Sequence, residues 1–225
     1  MTDAPVLTSD NKTDEKRHSG PVRFFAHFIS VIFHPLFLPL YVAAYLIFIH
    51  PYAFAGLNEK GRIFKFLFVF ISTTFFPAFA VLLMKLLGFV DSMMLRTKKD
   101  RIIPYIVSMI FFFWVWYVSR NQGENPAPLV AFLLSCFVGS IVALMANIYF
   151  KISMHGIGVG SFLTFFLWMP FTGDVPMGIW ISIAVLITGL VCTARLIVSD
   201  HTEKELYAGL VAGTLCMLLG IFVEG

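Results

Sequence analysis

Long runs of apolar residues dominate this sequence. A helix needs about 20 apolar residues to cross the roughly 30 Å hydrocarbon layer of a membrane, and several runs here approach or exceed that length. They do not alternate between apolar and polar residues as barrel strands do. We therefore predict an all-α, polytopic transmembrane helical bundle with six to seven spans. The seven candidates are Phe24–Ile49, Phe64–Val90, Ile102–Val118, Pro128–Phe150, Gly156–Met169, Met177–Ile197 and Leu206–Val223.

The composition excludes two large classes of protein. Of the 225 residues, 59% are hydrophobic and 13% are charged, whereas about 25% of the residues of a soluble domain are charged. A cytosolic globular enzyme is therefore excluded. The net charge of +3 is small, and the aromatic residues lie within the apolar runs, so nucleic acid is not an expected partner. We expect a multi-pass protein of a bacterial inner membrane or a plasma membrane, surrounded by membrane lipids.

The N-terminal stretch differs from the rest of the chain because it is charged and has no apolar run. We predict a disordered polar N-terminal tail over residues 1–23 and a single transmembrane helical domain over residues 24–225. Within that domain, the fifth candidate span is short. It begins with three glycines that allow close contact with neighbouring helices, namely Gly156, Gly158 and Gly160.

Prolines and histidines interrupt the first two candidate spans. The prolines are expected to kink their helices, with the freed backbone groups satisfied by neighbouring helices: Pro35, Pro39 and Pro77. The histidines of the first span have no partner nearby in the sequence, and we assign them packing, interfacial or accessory roles: His27, His34 and His50.

Charged and polar side chains gather in the loops after the second, fourth and sixth candidate spans. If all seven spans cross the membrane, these loops open on the same face as the N-terminal tail. Guanidinium and ammonium groups match phosphate oxygens, so this face predicts a phosphate-binding site. Its candidate residues are Arg96, Lys98, Lys99, Arg101, Ser153, His155, Arg195, His201 and Glu205.

Two histidines in such a site can divide the work of phosphoryl transfer. One can attack phosphorus while the other protonates the leaving oxygen. Glu205 follows His201 by four residues, or one helical turn, and can orient its imidazole. In the ordinary alternative, the basic residues set topology and contact lipid head groups, and His155 and His201 are interfacial side chains. The residues alone leave both interpretations open.

The order and spacing of these residues resemble the three-part signature of the type 2 phosphatidic acid phosphatase and vanadium haloperoxidase superfamily. In that family the first part is Lys, six residues, then Arg-Pro. The second is Pro-Ser-Gly-His, and the third is Ser-Arg, five residues, His, three residues, Asp. The corresponding residues here are Arg96-Thr-Lys98-Lys99-Asp-Arg101-Ile-Ile-Pro104, then Ile152-Ser153-Met154-His155, then Ala194-Arg195 followed at the family's spacing by His201 and Glu205.

The resemblance implies a membrane lipid phosphatase that works through a phosphohistidine. By that resemblance His201 is the nucleophile, and Glu205 takes the place of the family's aspartate in orienting it. His155 is the general acid that protonates the leaving alcohol and then activates water. The mechanism needs no metal and no cofactor.

The resemblance also implies how the phosphoryl group is held. Arg195 and Arg101 clamp its oxygens, and Ser153 or its backbone donates a hydrogen bond. Met94 stands at the position of the family's lysine, which removes one phosphate contact. Lys98, Lys99 or Arg96 would then supply the positive charge that this lysine provides in the family.

A site at head-group level suits a lipid phosphate whose tail stays in the membrane. Phosphatidic acid, a phosphatidylglycerol phosphate and a polyprenyl phosphate or diphosphate all qualify, and the residues select neither among them nor an oligomeric state. Counting Lys and Arg favours a cytoplasmic site, whereas members of the family commonly place it on the other side. The alternative function is a non-catalytic lipid-phosphate-binding or scaffold protein of the same fold. Transport is disfavoured, because the charges lie at one rim and not at the bilayer midplane.

Overall fold

The computed structural model describes residues 19–88, 98–198 and 202–225, except for the side chains of residues 98–101. Within these residues the chain forms helices and no strand. The α-helices are α1 (Gly20–Ile32), α2 (Leu38–Ala44), α3 (Glu59–Phe70), α4 (Phe76–Leu86), α5 (Lys98–Asn121), α6 (Ala127–Tyr149), α7 (Met154–Trp168), α8 (Gly178–Ile197) and α9 (Glu203–Glu224). A π-helical turn, Tyr45–Ile49, extends α2, and a second, Ile71–Phe75, joins α3 to α4.

Six helical segments of the described chain are long and apolar enough to cross a membrane. They are Glu59–Leu86, Ile102–Asn121, Ala127–Tyr149, Met154–Phe171, Gly178–Ile197 and Glu203–Glu224. The outward surface of the bundle is apolar, with exposed fractions of 77% for Phe64, 74% for Ile179 and 87% for Phe222. Large exposed apolar surfaces are typical of contact with lipid. The prediction of an all-α, polytopic bundle is confirmed.

The first candidate span, Phe24–Ile49, is two short helices instead of one long helix. At 13 residues, α1 is too short to cross the hydrocarbon layer. Pro35 has no backbone N–H and follows the end of α1, and Pro39 lies in the first turn of α2, where a proline is tolerated. The prediction of a single span here was wrong, so counting spans does not place the tail on the face of the loops. Of the predicted tail, residues 20–23 belong to α1, and residues 1–18 lie outside the described residues.

Side chains of neighbouring segments satisfy carbonyl groups at this break. The hydroxyl of Tyr41 donates a hydrogen bond to the carbonyl oxygen of Ile32 (2.8 Å). The hydroxyl of Thr74, in the turn between α3 and α4, donates to the carbonyl oxygen of Leu36 (2.8 Å). This is how a membrane protein tolerates a proline break, and it agrees with the expectation from the sequence.

Helices α7 and α9 run parallel and touch backbone to backbone. Each carries two glycines four positions apart, beginning at Gly156 in α7 and at Gly209 in α9. A Cβ atom at Gly156 would lie 2.7 Å from the carbonyl oxygen of Leu206, and one at Gly209 would lie 2.6 Å from that of Ser153. A larger residue would therefore push the helices apart. The close contact predicted for the fifth span is confirmed, and it is a common form of packing between membrane helices.

Helices α5 to α9 alternate in direction, which gives this part of the bundle two distinct ends. We call one of them the site end: it contains the starts of α5, α7 and α9 and the ends of α6 and α8. At the opposite end the carboxylate of Glu224 accepts a hydrogen bond from Trp116 Nε1 (3.1 Å) and lies 3.4 Å from Arg120 Nε. These contacts join the ends of α5 and α9.

Candidate functional site

Ser153 begins α7 and ties it to α9. Its Oγ accepts a hydrogen bond from the backbone N–H of Gly156 (3.2 Å), which caps the helix. Its own N–H donates to the carbonyl oxygen of Glu205 (3.3 Å). The residue is completely buried. Ser153 thus holds the second motif against the third, and its contact with a phosphate stays a prediction.

His155, in the first turn of α7, is joined to α1. Its Nε2 lies 2.9 Å from the carbonyl oxygen of Ser30. Because a carbonyl can only accept, Nε2 is the nitrogen that carries a proton, and in the neutral ring Nδ1 is then the basic nitrogen. The contact therefore fixes both the orientation and the tautomer of the imidazole, as acid–base catalysis requires.

A third histidine, His34, which was not among the predicted site residues, stands against His155. The two ring centroids are 5.3 Å apart and the ring planes are nearly perpendicular, at 87°. His34 lies in the connection between α1 and α2, outside the six spanning segments, where its Nδ1 accepts from the backbone N–H of Leu36 (3.4 Å). A neutral imidazole that accepts at Nδ1 carries its proton on Nε2.

The surroundings of His34 keep its ring neutral. Burial, and to a lesser degree the positive charge of Arg195, lower the pKa of His34 from 6.5 to about 4. The residue as a whole is nevertheless exposed. The sequence signal that could have found it is the pair His34-Pro35 inside an apolar run. Proline ends the helix there and leaves the histidine at a helix end, beside a polar cluster.

Arg195 lies in the last turn of α8 and is 8% exposed. A cation near the carbonyl end of a helix is favoured by the helix dipole. Its planar guanidinium presents a fork of N–H donors that matches two phosphate oxygens. Its positive charge contributes to the lowered pKa of His34, which packs against His155.

Glu205 lies in the first turn of α9, where it closes a capping box with Thr202. Its Oε2 accepts from the N–H of Thr202 (3.1 Å), and the Oγ1 of Thr202 accepts from the N–H of Glu205 (3.3 Å). The box fixes the start of α9 directly after His201 in the chain. His201 lies outside the described residues, so its role as nucleophile and its pairing with Glu205 stay predictions.

The start of α5 also lies at the site end. Tyr105, in its second turn, packs in a buried cluster with Ile152 and Ile157, which flank the second motif. The first motif therefore enters the bundle beside the second. The first turn of α5 holds Lys98, Lys99 and Arg101, whose side chains are outside the described part of the structure, as is all of Arg96.

The site end presents three helix N-termini and a buried guanidinium. Helix N-termini carry partial positive charge and exposed N–H groups, so together with Arg195 they favour an anion. Two neighbouring imidazoles with assigned tautomers supply a proton donor and an acceptor. Among the described residues, no three His, Cys, Asp or Glu side chains lie close enough to hold a metal ion.

Comparison of the chain with protein-family models, with curated proteins and with solved structures finds no match in any of the three.

Proposed function

We propose that this protein is an integral-membrane lipid phosphatase that hydrolyses a phosphomonoester or diphosphate of a lipid. The observation that carries the proposal is the meeting of three separate motifs at the site end. Ser153 is hydrogen-bonded to the backbone of Glu205, and His155 packs against His34. Burial and the positive charge of Arg195 lower the pKa of His34. The start of α5, with the first motif, packs against the second.

In the proposed reaction an imidazole nitrogen of His201 attacks phosphorus, and the bond from phosphorus to the lipid oxygen breaks. His155 gives a proton to the leaving oxygen, so the lipid departs as an alcohol. A water molecule then loses a proton to His155 and attacks the phosphohistidine, which releases inorganic phosphate and restores both histidines. Arg195 and Arg101 stabilise the charge on the phosphoryl oxygens throughout.

His34 extends this site beyond the residues predicted from the sequence. Because Nδ1 accepts from the Leu36 N–H, its Nε2–H is a neutral hydrogen-bond donor next to His155. A neutral donor can bind a phosphoryl oxygen without adding a further positive charge that would raise the acidity of His155. The proposed substrates are phosphatidic acid, a phosphatidylglycerol phosphate or a polyprenyl diphosphate, in a bacterial inner membrane or a plasma membrane.

Release of inorganic phosphate by the purified protein in detergent tests the proposal. The wild type is compared with His201→Ala and His155→Ala on a panel of lipid mono- and diphosphates. His27→Ala is the matched control, because His27 is an exposed histidine of α1 that takes part in none of the contacts described above. Loss of an acid–base group costs about 10²- to 10⁴-fold in rate.

We expect both site variants to lose activity by at least about 100-fold while they unfold at the wild-type temperature. The control variant should keep its activity. Equal activity of wild type, His201→Ala and His155→Ala would show that the histidines do not carry the reaction.

The replacement of the family's lysine by Met94 favours a second candidate function. A protein with one phosphate contact fewer could bind lipid phosphate without turning it over. In that case the well-folded wild type would bind phosphatidic acid and release no phosphate from any lipid of the panel.

A further inference from the structure

An apolar groove of about 540 Å³ runs along the contact between α1 and α8. This volume is within the range of small-molecule sites. Helix α1 lines the groove with Val22, Phe25, Ala26 and Ile29, which follow one another at helical spacing. Helix α8 lines it along one face from Val185 to Ile197. Among all the lining residues, Thr193 alone has a polar side chain.

One end of the groove reaches the site end, because its lining extends to Ile197, the last residue of α8. On α8 its lining includes Ala194, the neighbour of Arg195, and on α1 it includes Ile29, the neighbour of Ser30. The carbonyl group of Ser30 is the partner of His155. A molecule lying in the groove therefore has one end at the level of the last turn of α8, which carries Arg195, and of the end of α1, which is bonded to His155.

The depth of the groove matches one leaflet of a membrane. Val185 and Ile197 are twelve positions apart on α8, which corresponds to about 18 Å at the helical rise of 1.5 Å per residue. Half of the hydrocarbon layer is about 15 Å. A fatty acyl chain occupies one leaflet, whereas a long polyprenyl chain exceeds it.

We propose that the α1–α8 groove is a binding site for one acyl chain of a lipid whose phosphate group enters the site end. This inference rests on the proposed function and adds to it the subsite that selects the lipid by its chain. The outer edges of the walls are open, with exposed fractions of 62% for Phe25 and 61% for Leu186. The chain therefore enters sideways from the bilayer and needs no passage through the bundle.

Two glycines of α8 provide a matched pair of variants. A Cβ atom at Gly189, in the wall of the groove, or at Gly178, in the first turn of the helix and outside the groove, meets no atom within 4 Å. Leucine fits at both positions, and it is the better helix former. Only at Gly189 does its side chain occupy the groove.

Lipids with acyl chains of different length distinguish an effect on the groove from a general effect on the activity. Gly189 lies eight positions before Ile197, about 12 Å along the helix from the site end. A six-carbon chain ends before it reaches Gly189, and a sixteen-carbon chain passes it. Phosphate release is therefore measured with dihexanoyl and with dipalmitoyl phosphatidic acid for wild type, Gly189→Leu and Gly178→Leu.

We expect Gly189→Leu to raise KM for the dipalmitoyl lipid by about tenfold, which corresponds to the lost burial of about two methylene groups. KM for the dihexanoyl lipid should change by less than about twofold in this variant. In Gly178→Leu, KM for both lipids should stay within about twofold of the wild-type value. An equal effect of Gly189→Leu on both lipids, or none on either, would overturn the proposal. Undecaprenyl phosphate is the third substrate: impaired hydrolysis of this lipid alone would show that the groove binds a prenyl chain.

A separate measurement distinguishes failure of the groove proposal from failure of the proposed function. If the wild type releases phosphate from no lipid, the phosphatase proposal is wrong. The dipalmitoyl phosphatidic acid retained by wild type and by Gly189→Leu is then counted by native mass spectrometry. Weaker retention by the variant supports the groove, and equal retention contradicts it.

Discussion

Replacement of Gly156 by alanine tests the backbone contact that holds the second motif against the third. The added Cβ would lie 2.7 Å from the carbonyl oxygen of Leu206 and 3.2 Å from both the Cα of Gly209 and the N of Leu210. Ordinary contact begins at 3.4 Å, so the helices have to separate by about 0.7 Å. All three atoms belong to the backbone and cannot rotate aside. Overpacking of this kind costs about 1–3 kcal/mol, which is the expected loss in the free energy of unfolding.

Gly158 provides the control for this variant. A Cβ there would lie 2.7 Å from Leu38 Cδ1, the tip of a flexible side chain that can move away. Gly158→Ala should therefore cost less than about 1 kcal/mol. Both variants are unfolded by titration with a denaturing detergent, followed by tryptophan fluorescence. Since Gly156→Ala also displaces Ser153 from Glu205, its phosphate release should fall as well. A Gly156→Ala protein as stable as the wild type, or less disturbed than Gly158→Ala, would refute the reasoning.

Three further predictions concern other described contacts. Tyr41→Phe removes the hydrogen bond to the Ile32 carbonyl at the break and should cost about 1 kcal/mol in the same titration. Arg120→Ala should cost less than about 1 kcal/mol, because its ion pair with Glu224 is half exposed on the arginine side. The lowered pKa of His34 means that the unfolded chain binds a proton between about pH 6.5 and 4 and the folded chain does not. Stability should fall as the pH decreases through that window, and less steeply in His34→Gln; parallel curves would contradict this assignment.

The fold class could be predicted from the sequence because apolar runs of lipid length leave few alternatives. The close approach of α7 was also readable, since Gly156 has no Cβ to keep a neighbour away. The position of His34 in the site could not be predicted, because His155, which it contacts, lies far along the chain in a different helix. The capping box had a local signal in Thr202 and Glu205. Glu205 was predicted only as a partner for His201, although its spacing from Thr202 also fits a capping box.

The break between α1 and α2, where the sequence predicted a single span, also positions residues of the site. In a continuous helix the carbonyl of Ser30 would accept from the N–H of His34, four residues on. Pro35 has no N–H to offer to the carbonyl of Val31, and the N–H of His34 bonds to that carbonyl instead (3.3 Å). The carbonyl of Ser30 is thereby released from the helix and becomes the acceptor that orients His155. One proline thus ends α1, brings His34 to the site end and supplies the contact that sets the tautomer of the proposed general acid.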